Sequence, residues 1–200
     1  MIKLLLQYSF RKQHPGVFRL MRRGLAMLFA VIMAAGLPAA ALAEEAQPDT
    51  PSTSIRSVED FLAFAEGCSS DMYSRGKLFV LSADLDLSGM AFSPIPYFAG
   101  VFDGTNHSIS GLRLTADGSR QGLFRVVAGG AQVKNLTVRG NVSPGGTACS
   151  VGGIVGVNSG SLFDCSFEGT VSGIQDVGGI VGRNEAGSVL TRCISEADIT

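Results

Sequence analysis

From Lys77 onward apolar and polar residues alternate with a period of two, the pattern of short strands that bury one face. Leu78-Phe-Val-Leu81 predicts a short apolar strand. In Ala83-Asp-Leu-Asp-Leu87 the apolar side chains fall on one face, with Asp84 and Asp86 on the other. Phe98-Ala-Gly-Val-Phe-Asp-Gly104 brings a strand into an Asp-Gly turn, and Ile109-Ser-Gly-Leu-Arg-Leu114 leaves it. One stretch departs from this rhythm. In Ser57-Val-Glu-Asp-Phe-Leu-Ala-Phe-Ala-Glu66 the residues Val58, Phe61, Leu62 and Ala65 share a helical stripe. Ser57 can cap the first turn, Asp60 approximates a capping box, and Gly67 is the stop. No second helix is predicted, so the chain lacks material for a parallel α/β sheet.

Three runs align without gaps: Leu136-Thr-Val-Arg-Gly-Asn-Val142, Cys165-Ser-Phe-Glu-Gly-Thr-Val171 and Cys193-Ile-Ser-Glu-Ala-Asp-Ile199. Alternate positions form columns that are small or apolar apart from Ser195: Leu136/Cys165/Cys193, Val138/Phe167/Ser195, Gly140/Gly169/Ala197 and Val142/Val171/Ile199. These should face inward. The intervening columns are mostly polar and place Asp164 beside Arg192 and Arg139 beside Glu168, with Glu168 beside Glu196 as one unfavourable pair. A slip of one residue would bury those charges, which fixes the register.

Between the runs lie two nearly identical stretches, Val151-Gly-Gly-Ile-Val-Gly-Val-Asn158 and Val177-Gly-Gly-Ile-Val-Gly-Arg-Asn184, 26 residues apart. Recurrence at such a period is the mark of stacked repeats. The fold expected is all-β, a parallel, right-handed β-helix or solenoid over residues 77–200, with its last coil incomplete. The amphipathic helix and loop at 55–76 would cap the first coil, covering its open edge. Within the repeats, Gly152, Gly153, Ile154, Gly156 and Asn158, matched by Gly178, Gly179, Ile180, Gly182 and Asn184, read as a strand packed over small residues, with the asparagines stacking in the following turn.

These residues resemble the GLUG-type repeats of bacterial secreted and cell-surface proteins. The pattern Gly-Leu-x-Gly is met at Gly153-Ile-Val-Gly156 and Gly179-Ile-Val-Gly182, with isoleucine for leucine. Gly122-Leu-Phe-Arg125 meets it except at the last position, so that repeat is degenerate. The resemblance covers most of residues 55–200. It implies a surface or secreted scaffold, and some family members are segments of larger proteins that carry an IgA-cleaving metallopeptidase domain elsewhere. No His-Glu-x-x-His occurs here, so that activity is not carried over.

The start of the chain adds a location. Residues 1–43 hold six basic residues and no acidic one, then the apolar run Leu25–Ala35, then Pro38 and Ala41-Leu42-Ala43. That order predicts a secretory signal peptide, cleaved to leave a mature start near Glu44, with Met1 or Met21 as the initiator. Left uncleaved, it would be the chain's one expected membrane attachment. Residues 44–54 are polar, with two prolines, and read as a flexible linker. Cleavage would leave 10 Lys+Arg against 17 Asp+Glu, a net charge of −7 that disfavours nucleic acid as a partner.

Candidate chemistry is sparse. Cys68, Cys149, Cys165 and Cys193 show no Cys-x-x-Cys spacing. Cys165 and Cys193 share a column on adjacent rungs, close enough for a disulfide, although side chains on parallel strands lie alongside each other and favour two stacked thiols. His107 could act as a general base oriented by Asp103, but it sits in a turn-like Asp-Gly-Thr-Asn-His segment that reads as solvated. Asp84, Asp86 and Asp103 offer a calcium site of the kind pectate-lyase-like β-helices use, against the simpler reading of an exposed face and a turn. The expectation is a non-enzymatic extracellular module, without cofactor, contacting a protein or glycan. A carbohydrate-active β-helix enzyme is the alternative.

Overall fold

Residues 52–200 are described by the computed structural model; the expected signal peptide at 1–43 lies outside them. The elements run β1 (Ser52–Ile55), α1 (Val58–Gly67), β2 (Leu78–Leu81), β3 (Leu85–Asp86), β4 (Val101–Asp103), β5 (Ser108–Leu114), β6 (Phe124–Val127) and β7 (Gln132–Val142). They continue with β8 (Cys149–Gly152), β9 (Val155–Asn158), β10 (Ser161–Val171), β11 (Gln175–Gly178), β12 (Val181–Asn184), β13 (Val189–Thr191) and β14 (Ile194–Ile199). Every strand pairing among them is parallel. Parallel neighbours that follow one another at regular intervals in sequence, without crossover helices, make a solenoid.

Three sheets run along it. The largest stacks β1-β2-β4-β7-β10-β13, with β3, β5 and β14 continuing the same coils; β11 pairs β8; and β12, β9 and β6 form the third. The rungs align as their columns require. Cys165 lies opposite Leu136, Phe167 opposite Val138 and Val171 opposite Val142, and β14 continues with Ser195 opposite Phe167 and Ile199 opposite Val171. The inward members Leu136, Val138, Val142, Cys165, Phe167 and Val171 are all buried. Burial of each large one contributes about 1.5–3 kcal/mol.

The polar segment at 44–54 does not remain a linker to its end. Ser52–Ile55 forms β1, paired with Leu78–Leu81 of β2. Only Ile55 is buried in it, so the strand is held by backbone pairing and one anchor and leaves no alternation to read.

Helix α1 begins where Ser57 Oγ accepts from Asp60 N–H at 3.2 Å. Asp60 accepts from Arg56 N–H at 2.9 Å, one residue before the position a capping box would use. The buried face is Phe61, Phe64 and Ala65, continued by Cys68, with Val58 and Leu62 of the expected stripe partly buried against the same core. Phe64 lies 4.6 Å from the Phe79 ring and 5.5 Å from Phe102, and Phe98 and Phe124 extend the aromatic cluster into the first coils. Among the described residues no helix is long and apolar enough to cross a membrane.

Candidate functional site

The repeat stretch is a corner, not the single strand its alternation suggests. Val151-Gly152 closes β8 in the two-stranded sheet, the chain bends at Gly153-Ile154, and β9 starts the three-stranded sheet at Val155. Glycine is required there by crowding. A Cβ at Gly153 would overlap the Phe167 ring and the Gly179 carbonyl, and one at Gly179 would overlap Ser195. The first glycine of each Gly-Ile-Val-Gly thus lies over the inward side chain of the following long strand. The last glycine meets backbone: Gly156 lies against Arg120, and Gly182 against Ser150 and Val151. Asn158 is buried, donates to Asn184 Oδ1 at 2.8 Å, and accepts from Gly160 N–H at 3.0 Å. The side chain therefore closes its own turn and ties it to the next coil.

Left-handed backbone marks the other corners. Asn106, Asn135, Asp164 and Arg192 have φ of 64°, 53°, 52° and 53°, and Arg120, Ser150 and Asp176 have 60°, 60° and 55°. Each set recurs once per coil, so the bends stack. Asparagine and aspartate tolerate this region, whereas arginine and serine hold it only because the coils on either side impose it.

The outward columns carry cross-coil ion pairs. Arg139 reaches Glu168 through two bonds of 2.7 and 3.1 Å, and Arg192 reaches Asp164 through two of 2.5 and 2.6 Å. Thr137 and Ser166 hydroxyls meet at 2.9 Å between them. Glu168 and Glu196 are register neighbours, as the alignment requires.

The carboxylates proposed as a calcium site are used separately. Asp84 Oδ1 accepts from Ser108 N–H at 2.7 Å, which with the Ser108 hydroxyl and then His107 holds its pKa below the ordinary carboxylate value. Asp86 accepts from Ser88 N–H at 2.9 Å, and the Ser88 hydroxyl and N–H lower it in the same way. Asp103 faces Lys134 at 3.1 Å, Asn135 at 2.9 Å and Thr105 N–H at 2.9 Å. Burial pushes it up, but Asn135, Thr105 and Lys134 together outweigh that and hold it low. Among the described residues no group of three His, Cys, Asp or Glu side chains is placed to hold a metal ion. His107 is paired with Asp84 at 3.3 Å, not with Asp103.

The four cysteines are free thiols. Cys165 is buried on the column it shares with Cys193. A hydrogen bond to Cys193 and burial push the Cys165 thiol up, while the same bond pulls half-buried Cys193 down to about 6. Burial pushes Cys68 up to about 12.

The degenerate repeat opens a feature that alternation could not reveal. Phe124 and Val126 pair with Val155 and Val157, which places Arg125 opposite Gly156. Where a later coil would bring a backbone corner against a glycine, the loop around Met90–Pro94 passes instead, leaving a cleft of about 360 Å³. Arg113 and Arg125 both line it, with buried Gln121 between them in the chain.

The GLUG motif family matches residues 147–172, the span that holds the first exact repeat and the whole of the long strand β10. Halomucin from Haloquadratum walsbyi is 32% identical over 149 residues, 66% of this chain, and the chain spans 2% of that protein's length. A solved structure from Bacteroides ovatus, provisionally described as an immunoglobulin A1 protease, is 16% identical with a TM-score of 0.40, covering 76% of this chain and 68% of that one. At that distance neither its fold nor its activity is transferred. The chain carries the GLUG motif and is a GLUG-repeat protein.

Proposed function

We propose that this GLUG-repeat chain is an exported, non-enzymatic contact module, displayed outside the cell and binding a protein or glycan through its outward columns. The observation that carries this reading is the cross-coil ladder of Asp164–Arg192 and Arg139–Glu168, which holds a polar face in fixed register along the solenoid. Surface ion pairs of this kind contribute little stability singly, so their value lies in the geometry they hold. The signal-peptide order at 1–43 and the similarity to halomucin support an extracellular or surface location. Helix α1, with Phe61 and Phe64 driven into the aromatic cluster, closes the first coil. The non-enzymatic part rests on the separate local partners of Asp84, Asp86 and Asp103.

Incubation of the purified protein with a uronic-acid polymer and calcium is the direct test. The polymer should keep its chain length, and the melting temperature should not respond to calcium. Shortening of the polymer together with a calcium-dependent rise in melting temperature would favour a β-helix lyase instead.

A further inference from the structure

We propose that the cleft beside the degenerate repeat binds an acidic saccharide, with Arg113 and Arg125 taking its carboxylate or sulfate. This rests on the contact-module reading and supplies it with a ligand class.

Arg125 is the starting point. In the two exact repeats the fourth position must be glycine, because the backbone of Arg120 or Ser150 already fills the space a Cβ would need. Arg125 stands at that position in the register, yet its coil is intact: Arg125 N–H donates to Ile95 O at 2.8 Å, and Phe124 pairs with Val155. The substitution has exchanged a packed corner for a side chain in an open cleft.

Among the described residues some arginines are paired with carboxylates and others, Arg56, Arg75 and Arg120 among them, are not; the cleft gathers two of the unpaired ones. Arg139, Arg183 and Arg192 each hold a carboxylate at 2.7 Å or closer. Arg113 and Arg125, which line one cleft, have no carboxylate within 4.0 Å among the described residues. Two uncompensated guanidiniums in one cavity repel each other, and an anion between them removes that cost while gaining planar, paired hydrogen bonds. On a chain whose acidic residues outnumber its basic ones, such a site selects a small anion against the field of the whole.

The remaining walls describe the rest of the ligand. Gln121 is buried, and its Nε2 donates to Gly118 O at 3.2 Å, which fixes the side chain against the cleft. Thr115 adds a hydroxyl, and Met90 and Phe92 provide an apolar side. A sugar ring presents the same mixture, hydroxyls around its edge and C–H groups on its faces. At about 360 Å³ the cleft lies at the small end of ligand pockets, suited to a short saccharide segment.

The test is calorimetric titration of the full-length chain with trigalacturonate and with a sulfated galactose disaccharide, against galactotriose, sodium sulfate and an aspartate-rich peptide. At least one of the two acidic saccharides should bind, more weakly as salt rises, and their ranking distinguishes carboxylate from sulfate. Arg125→Gly, which restores the repeat glycine, should weaken binding at least about tenfold with an unchanged melting temperature. Arg113→Gln should do the same, and Arg125→Gln serves if the glycine variant does not fold. Equal affinity of these variants and the parent, or equal binding of galactotriose, overturns the proposal. So does tighter binding of the peptide, or binding of an adventitious ion only. No saccharide binding by a chain that is surface-exposed and does not cleave polyuronate would sink the cleft and leave the contact module standing.

Discussion

Asn158 shows how one polar side chain can hold a coil. Because it is buried and bonded both to its own turn and to Asn184, replacing it strands partners on two coils. Asn158→Ala should cost about 1–3 kcal/mol, read as a lowered melting temperature. The thiol pair gives a second residue-scale outcome. Cys193, drawn down to about 6, should react with iodoacetamide in the folded protein at a rate that rises with pH and levels off above neutrality. Cys165 should react only after unfolding, and no mass shift on alkylating the unfolded, unreduced protein would show a disulfide instead. Asp103 sets a pH dependence. Its pKa is held below the unfolded value, so its contribution is present above the ordinary carboxylate range and is lost as pH falls through the lower, folded value. The melting temperature should therefore decline as pH drops below about 4, and less steeply in Asp103→Asn, whose side chain no longer takes up the proton.

At the scale of elements, legibility followed charge. The long strands could be aligned because a slip of one residue would bury Arg139, Glu168, Asp164 and Arg192, and the observed partners are those the columns require. The repeat stretch gave no such guide. Its glycines and valines carry no charge on either face before Arg183, so the bend at Gly153-Ile154 that splits it into β8 and β9 was invisible. The stacked corners were hidden for a related reason: Arg120, Ser150 and Arg192 hold left-handed backbone through their coils, not through their own preference. The cleft was unreadable because it depends on the loop at Met90–Pro94 crossing beside Arg125, a contact with no sequence period. Helix α1 was legible with its stripe of Val58, Phe61, Leu62 and Ala65, all buried or packed against the core; the stripe left out Phe64, which is buried deeper than Leu62. Phe64→Ala should cost about 3–5 kcal/mol, measured by denaturant unfolding, and Leu62→Ala clearly less.

Across the molecule, crowding and charge divide the work. Glycine corners and inward columns leave little freedom for change, so variation is tolerated on the outward columns and where a repeat departs from its pattern, as at Arg125. A solenoid built this way can present a polar surface of any length at constant register, the kind of extended surface that the proposed contact role uses. That use requires the described coils to lie outside the cell. Labelling intact producing cells with a membrane-impermeant amine reagent, followed by mass spectrometry, tests this most directly. Labelled peptides carrying Lys77 or Lys134 should be recovered from unbroken cells or from their medium; label that appears on those lysines only after lysis would contradict the account.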